Sequence, residues 1–196
     1  MVASILKTAV VTVLALGNFV VNAAPAPVNA RSEEIFSIEK WITDKIENPT
    51  GQHLSASEAF VAWNQSMSAL HSTEFGTTVK RQSNPVCNHQ IQYGYSAAWA
   101  PDAVTCIDYL AGLGGTACRI GPERTTSSFV ARGFAEIVGV NGQSNVAVQQ
   151  TTCQNIAQTA GRIMDVCWQP SNTVQGTMLA TNNRWIAVHI SAPGGL

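Results

Sequence analysis

The chain has 196 residues, five cysteines, a formal net charge of −1, and 45% hydrophobic against 12% charged residues. That length fits one or two small domains and excludes a large multidomain enzyme. A charge near zero leaves no electrostatic footprint for nucleic acid or an anionic membrane, and the composition is neither that of a disordered acidic tail nor that of a coiled coil.

Residues 1–23 read as a secretory signal peptide. Lys7 supplies the positive start, Thr8 to Val21 is almost wholly apolar, and Val21 and Ala23 put small residues at the signal-peptidase site, so cleavage is expected after Ala23. A membrane anchor needs about 20 unbroken apolar residues. Gly17, Asn18 and Asn22 interrupt this run, and no later stretch is long enough to span a bilayer. The mature protein is therefore expected to be secreted and extracellular, where cysteines meet an oxidising environment and form bridges.

The rest of the chain changes character at Lys80-Arg81, its only dibasic pair. Residues 24–81 hold five basic and seven acidic residues and no cysteine, whereas residues 82–196 hold no lysine and all five cysteines. The pair sits among Gly, Thr, Ser, Asn and Pro, a composition that suits an exposed loop. A processing protease of the Kex2 type would cut after Arg81 and leave a pro-region (24–81) and a disulfide-bonded domain (82–196). Within the pro-region, Ile35, Ile38, Trp41, Ile42, Lys45 and Ile46 fall mostly on one face of a helix that ends at Asn48-Pro49. Ser55-x-x-Glu58 reads as a capping box before Phe60, Trp63, Met67 and Leu70 at helical spacing. The two helices are expected to pack on each other or on the downstream domain. Asn64-Gln65-Ser66 is the only N-glycosylation sequon.

The cysteine-bearing half reads as a small α+β domain. Val86 to Trp99 is expected as a strand. A helix follows from Pro101-Asp102, with Val104, Ile107, Leu110 and Leu113 three apart, and closes at Gly112, Gly114 and Gly115. Thr116 to Ile120 and Ser128 to Val140 are expected as strands. A second helix carries Cys153, Ile156, Ala157, Ala160, Ile163, Met164 and Cys167 on one face and stops at Pro170. Gly161 lowers its helix propensity, and a close backbone contact would account for that residue. The C-terminus reads as a hairpin with Asn182-Asn183 at a two-residue turn. That register sets Leu179 opposite Ile186 and points Met178, Trp185 and His189 to the face away from the core, a candidate binding face. The order β-α-β-β-α-β-β fits a two-layer sandwich, an antiparallel sheet with two helices on one side.

The runs CIDYLAGLGGTACRI (Cys106 to Ile120), FVARGFAEIVGVN (Phe129 to Asn141) and CQNIAQTAGRIMDVCW (Cys153 to Trp168) resemble small secreted fungal proteins regarded as candidate effectors, similar in organisation to Ecp2-like and killer-toxin-like proteins. The resemblance covers residues 87 to 190 and rests on cysteine placement and helix pattern. It implies a secreted protein that binds a host or competitor molecule. The similar proteins tend to carry a cysteine where this chain has Val130. By that resemblance Cys118 is the cysteine without an internal partner, a buried thiol or a dimer link, and Cys87, Cys106, Cys153 and Cys167 supply two bridges.

No cofactor or metal is expected, because no cysteine or histidine spacing suits zinc and no HExxH, GxSxG or P-loop occurs. No residue is assigned a catalytic role. His89 and His189 with Glu123, Glu136 and the arginines supply the residue types of a small extracellular, nuclease-like hydrolase, the rival to a binding protein, but no spacing unites them. A structural cell-wall protein fits less well, since Ser/Thr-rich repeats are absent.

Overall fold

A computed structural model describes residues 35–72, 85–87, 96–122, 125–142 and 148–194. Its centre is a four-stranded antiparallel sheet of order β3-β4-β9-β8, built from β3 (Thr126–Arg132), β4 (Ala135–Asn141), β8 (Gly176–Ala180) and β9 (Asn183–Ser191). Helices α3 (Ala100–Gly112) and α4 (Cys153–Cys167) cover one face, which makes the domain an α+β sandwich. Two smaller pieces flank it: a ribbon of β2 (Ala117–Ile120) and β5 (Gln149–Thr152), and a short sheet of β1 (Ala98–Trp99), β7 (Thr173–Val174) and β6 (Trp168–Gln169).

The apolar spacing of α3 and α4 decides the layering. Val104, Ile107 and Leu110 of α3, and Ile156, Ala160, Ile163 and Met164 of α4, are fully buried against inward residues Ile137, Ile186, Val188 and Ile190 of the sheet. The leading helices α1 (Ile38–Glu47) and α2 (Ala56–Ser72) pack on α4 and α3, in the same compact unit as the rest of the described chain. Ile38, Trp41, Ile42, Ala59 and Trp63 are buried in the same core as the sheet side of α3 and α4. The two leading helices are thus a third layer. The capping box forms as read: Ser55 Oγ and N both donate to Glu58 Oε2, and Ser55 Oγ accepts from Glu58 N.

Several expectations need correction. The stretch Ser128 to Val140 is two strands, β3 and β4, joined at Gly133-Phe134, where Gly133 takes φ +51. The C-terminal hairpin turns at Thr181-Asn182, with Ala180 opposite Asn183. Asparagine does not adopt positive φ there; among the described non-glycine residues only Asn172 does. The two asparagines serve β5 instead: Asn182 Oδ1 accepts from Thr151 Oγ1 (2.7 Å), and Asn183 Nδ2 donates to Gln150 O (3.2 Å). An irregularity after Leu179 then sets Met178 opposite Val188 and Leu179 opposite Ala187. A one-residue slip exchanges the two faces of a strand. Met178, expected on the candidate binding face, is 4% exposed in the core, and Leu179 is 47% exposed.

The cysteine assignment also differs. Cys87 bridges Cys167, and Cys118 bridges Cys153. Cys118 is not the odd thiol, because β2 pairs with β5 rather than with β3; Cys118 lies opposite Thr151, two residues before Cys153. Val130 pairs with Ile137 elsewhere. The free cysteine is Cys106, expected in a bridge but fully buried on the sheet side of α3, with its Sγ 3.7 Å from the Ala135 carbonyl. A thiol at that depth cannot link two folded chains, which removes the odd cysteine as a dimer contact.

Candidate functional site

Two constructions stand out: the seat that α4 makes for the leading helices, and an aromatic rim beside the start of α3. The seat is centred on Asp165, in the last turn of α4. Its carboxylate accepts from Ser37 Oγ (2.7 Å), Ile38 N (2.8 Å), Glu39 N (3.0 Å) and the Trp63 indole Nε1 (2.8 Å). Ser37 is itself the N-cap of α1, its Oγ accepting from Lys40 N. The first turn of α1 therefore has its free N–H groups satisfied by its own cap and by a carboxylate from a distant helix, with the helix dipole favouring the negative charge. Burial pushes the Asp165 carboxyl up to about 6, against the pull of its four donors toward the ionised form. One turn earlier, Gly161 lets the backbones meet: a Cβ there would lie 2.9 Å from Glu39 Cα and 3.1 Å from Glu39 N. The close contact expected of Gly161 is thus the α1–α4 crossing. Lys45 of α1 pairs with Asp108 of α3, and Trp63 meets Trp168 edge to face at 5.8 Å. Burying Trp63, Ile38 and Ile42 contributes roughly 1.5–3 kcal/mol each.

The rim is made by β1 and the β3–β4 turn. Trp99 N donates to Phe134 O (3.0 Å), and Phe134 N donates to Asp102 Oδ2 (2.8 Å) in the first turn of α3. A side chain at Gly133 would run into the Asp102 carboxylate. This hydrogen-bonded turn leaves Phe134 73% exposed beside Trp99 at 41%. With Ala97 and Thr173 they line a shallow hollow of about 420 Å³. Two residues before Phe134, the Arg132 guanidinium stacks over Tyr109, 4.9 Å from the ring centre. The sequence reading missed Phe134 because it placed the residue inside one long strand; Gly133 within that apolar run was the available signal for a turn.

Of the face expected from Met178, Trp185 and His189, only Trp185 is exposed on the outer side of the sheet, with Arg184 stacked on its ring at 4.7 Å. His189 is half-buried there, Nδ1 2.7 Å from Thr177 Oγ1, and burial pushes its imidazole down to about 4. Glu136 Oε2 accepts from Gly194 N (3.0 Å). Their proposed companions His89 and Glu123 lie outside the described residues, as do the processing positions Ala23, Lys80 and Arg81. Asn64 sits mid-way along α2 with its side-chain oxygen buried, unlike the surface loop a glycan favours. Among the described residues no His/Cys/Asp/Glu group is placed to hold a metal ion, and no helix is long and apolar enough to cross a membrane.

The family model described as a domain of unknown function (DUF8794) matches residues 82–192. No curated protein and no solved structure matches the chain. The matched span begins directly after Lys80-Arg81 and leaves α1 and α2 outside it. It takes in all five cysteines, the four-stranded sheet and both helices that cover it, more than half of the chain, and so the protein belongs to the DUF8794 family.

Proposed function

We propose that the protein is secreted, is cut after Arg81 by a Kex2-type protease, and acts as an effector or toxin-like protein by binding a host or competitor molecule. The observation that carries the binding reading is the Trp99–Phe134 rim. A solvent-exposed aromatic pair held by backbone hydrogen bonds is the kind of anchor that interfaces use, and it is costly to leave in water without a partner. Two disulfides support an oxidising destination, and the resemblance to small secreted fungal proteins points the same way. The start of the family match at Gln82 supports a functional boundary at the dibasic pair.

A nuclease-like hydrolase needs an imidazole that exchanges protons near neutral pH beside a free acid. His189 is held neutral by burial and bonded to Thr177, and Glu136 is engaged with Gly194, which favours binding over catalysis. The test applies purified secreted protein to host tissue and to competing microbes beside a Trp99→Ala/Phe134→Ala variant. A response from the wild type that the equally stable variant lacks is the expected result. Turnover of RNA by the wild type, abolished by His189→Asn, would establish the hydrolase instead.

A further inference from the structure

The seat for α1 and α2 bears on what cleavage achieves. If the pro-region were designed to leave once cut, its contacts with the domain would be peripheral and separable. They are neither. Trp63 and Ile38 are fully buried in the domain's core, and Asp165 holds donors from Ser37, Ile38, Glu39 and Trp63, so one carboxylate ties both leading helices down. Gly161 shapes α4 to the backbone of α1, and Lys45 reaches Asp108 on α3. The chain downstream of the dibasic pair is anchored just as firmly. Val86 pairs with Thr177 at the edge of β8, and Cys87 is bridged to Cys167. The Arg81–Gln82 bond therefore lies, along the chain, between two fixed points, α2 on one side and Val86-Cys87 on the other. Breaking it removes none of the contacts described.

We propose that after cleavage at Arg81 the leading segment stays seated on α3 and α4, and that the mature protein is a two-chain complex of residues 24–81 and 82–196. The inference rests on the processing reading. The cut adds water across the Arg81–Gln82 bond and nothing more. Residues 24–81 contain no cysteine, so the association is wholly non-covalent and the two chains part in denaturant without reduction. In this arrangement the segment is the occupant of a permanent helix seat. What cleavage frees is the connection between α2 and Val86, while the Trp99–Phe134 rim is available before and after.

The full secreted chain is treated with purified Kex2-type protease at pH 7.4 and examined by gel filtration and native mass spectrometry, with denaturing mass spectrometry to locate the cut. The expected result is two polypeptides that meet at Arg81–Gln82 under denaturing conditions and one species of unchanged native mass. If cleavage occurs and residues 82–196 elute alone, the inference is overturned. If the protease does not cut after Arg81, the processing reading fails by itself. The seat is then tested on a variant with a tobacco-etch-virus protease site replacing residues 76–80, read in the same way. A Gly161→Val variant supplies the control for location. Its added methyl groups meet the Glu39 backbone, so the cut variant should lose its segment at least tenfold faster than cut wild type, while the uncut variant keeps wild-type circular dichroism. Equal retention by both would place the affinity elsewhere and overturn the seat.

Discussion

Two desolvated groups, the buried Asp165 and the half-buried His189, make opposite demands on pH. Asp165 goes from an ordinary value of 3.8 to about 6 on folding, because burial outweighs its four hydrogen bonds. Between those values the folded chain holds a proton that the unfolded chain has released, so stability rises as pH falls through 6. His189 goes from 6.5 to about 4 for the same desolvation cause. In that window the unfolded chain binds a proton that the folded chain refuses, so stability falls as pH falls through 6.5. Moving from pH 7.4 to 5 adds roughly 1 kcal/mol at Asp165 and removes roughly 2 kcal/mol at His189, so the two contributions oppose and largely offset each other. The perturbation is to remove one group at a time. Urea unfolding followed by tryptophan fluorescence at pH 7.4, 6 and 5 should give a shallow dependence for the wild type. Asp165→Asn, whatever its loss at pH 7.4, should lose roughly 2 kcal/mol more on acidification, whereas His189→Asn should gain roughly 1 kcal/mol. If Asp165→Asn and wild type run parallel, Asp165 does not take up a proton on folding and the account of its burial is wrong.

Gly161→Ala should destabilise the full chain by up to about 2 kcal/mol: about 1 kcal/mol of improved helix propensity is outweighed by roughly 1–3 kcal/mol of overpacking against Glu39. A raised Tm would show that α1 does not cross α4 at that point. Cys118→Ser should cost about 3–4 kcal/mol in urea melts, from the entropy of a 35-residue loop released in the unfolded chain; alkylation of wild-type Cys118 without reduction would contradict the bridge. Native alkylation should leave Cys106 unlabelled, since burial pushes its thiol up to about 11, and peptide mapping should find it modified only in denaturant.

What was legible in the sequence is what local periodicity and capping encode. The apolar positions of α4 recur on one face from Cys153 to Cys167, and the Ser55–Glu58 box marks the start of α2 by chemistry three residues apart. Asp165 was not legible, because in the sequence it is one more acid on an amphipathic helix; its meaning comes from Ser37, 128 positions earlier. The hairpin register failed for a related reason. Asn182 and Asn183 look like turn formers, but their side chains are recruited by Thr151 and Gln150 on a strand that local reasoning does not bring near. The Cys118 bridge depended likewise on β2 choosing β5 over the next strand in the chain.

The distance between Ser37 and Asp165 has a consequence for synthesis. A chain made from its N-terminus produces α1 and α2 long before the helix that seats them, and short helices without a packing surface are marginal in water. Through the making of α3 and the first five strands, Trp41 and Trp63 have no core to enter, and the long-range contacts that reward ordering come late. If the chain is exported as proposed, that interval is when Asn64 would be open to enzymes that attach oligosaccharide. Once Asp165 arrives and draws in the Trp63 indole, the asparagine beside it goes down with the helix. Glycan occupancy at Asn64 would then act as a clock: raised by anything that delays α4, lowered by anything that lets α2 dock early.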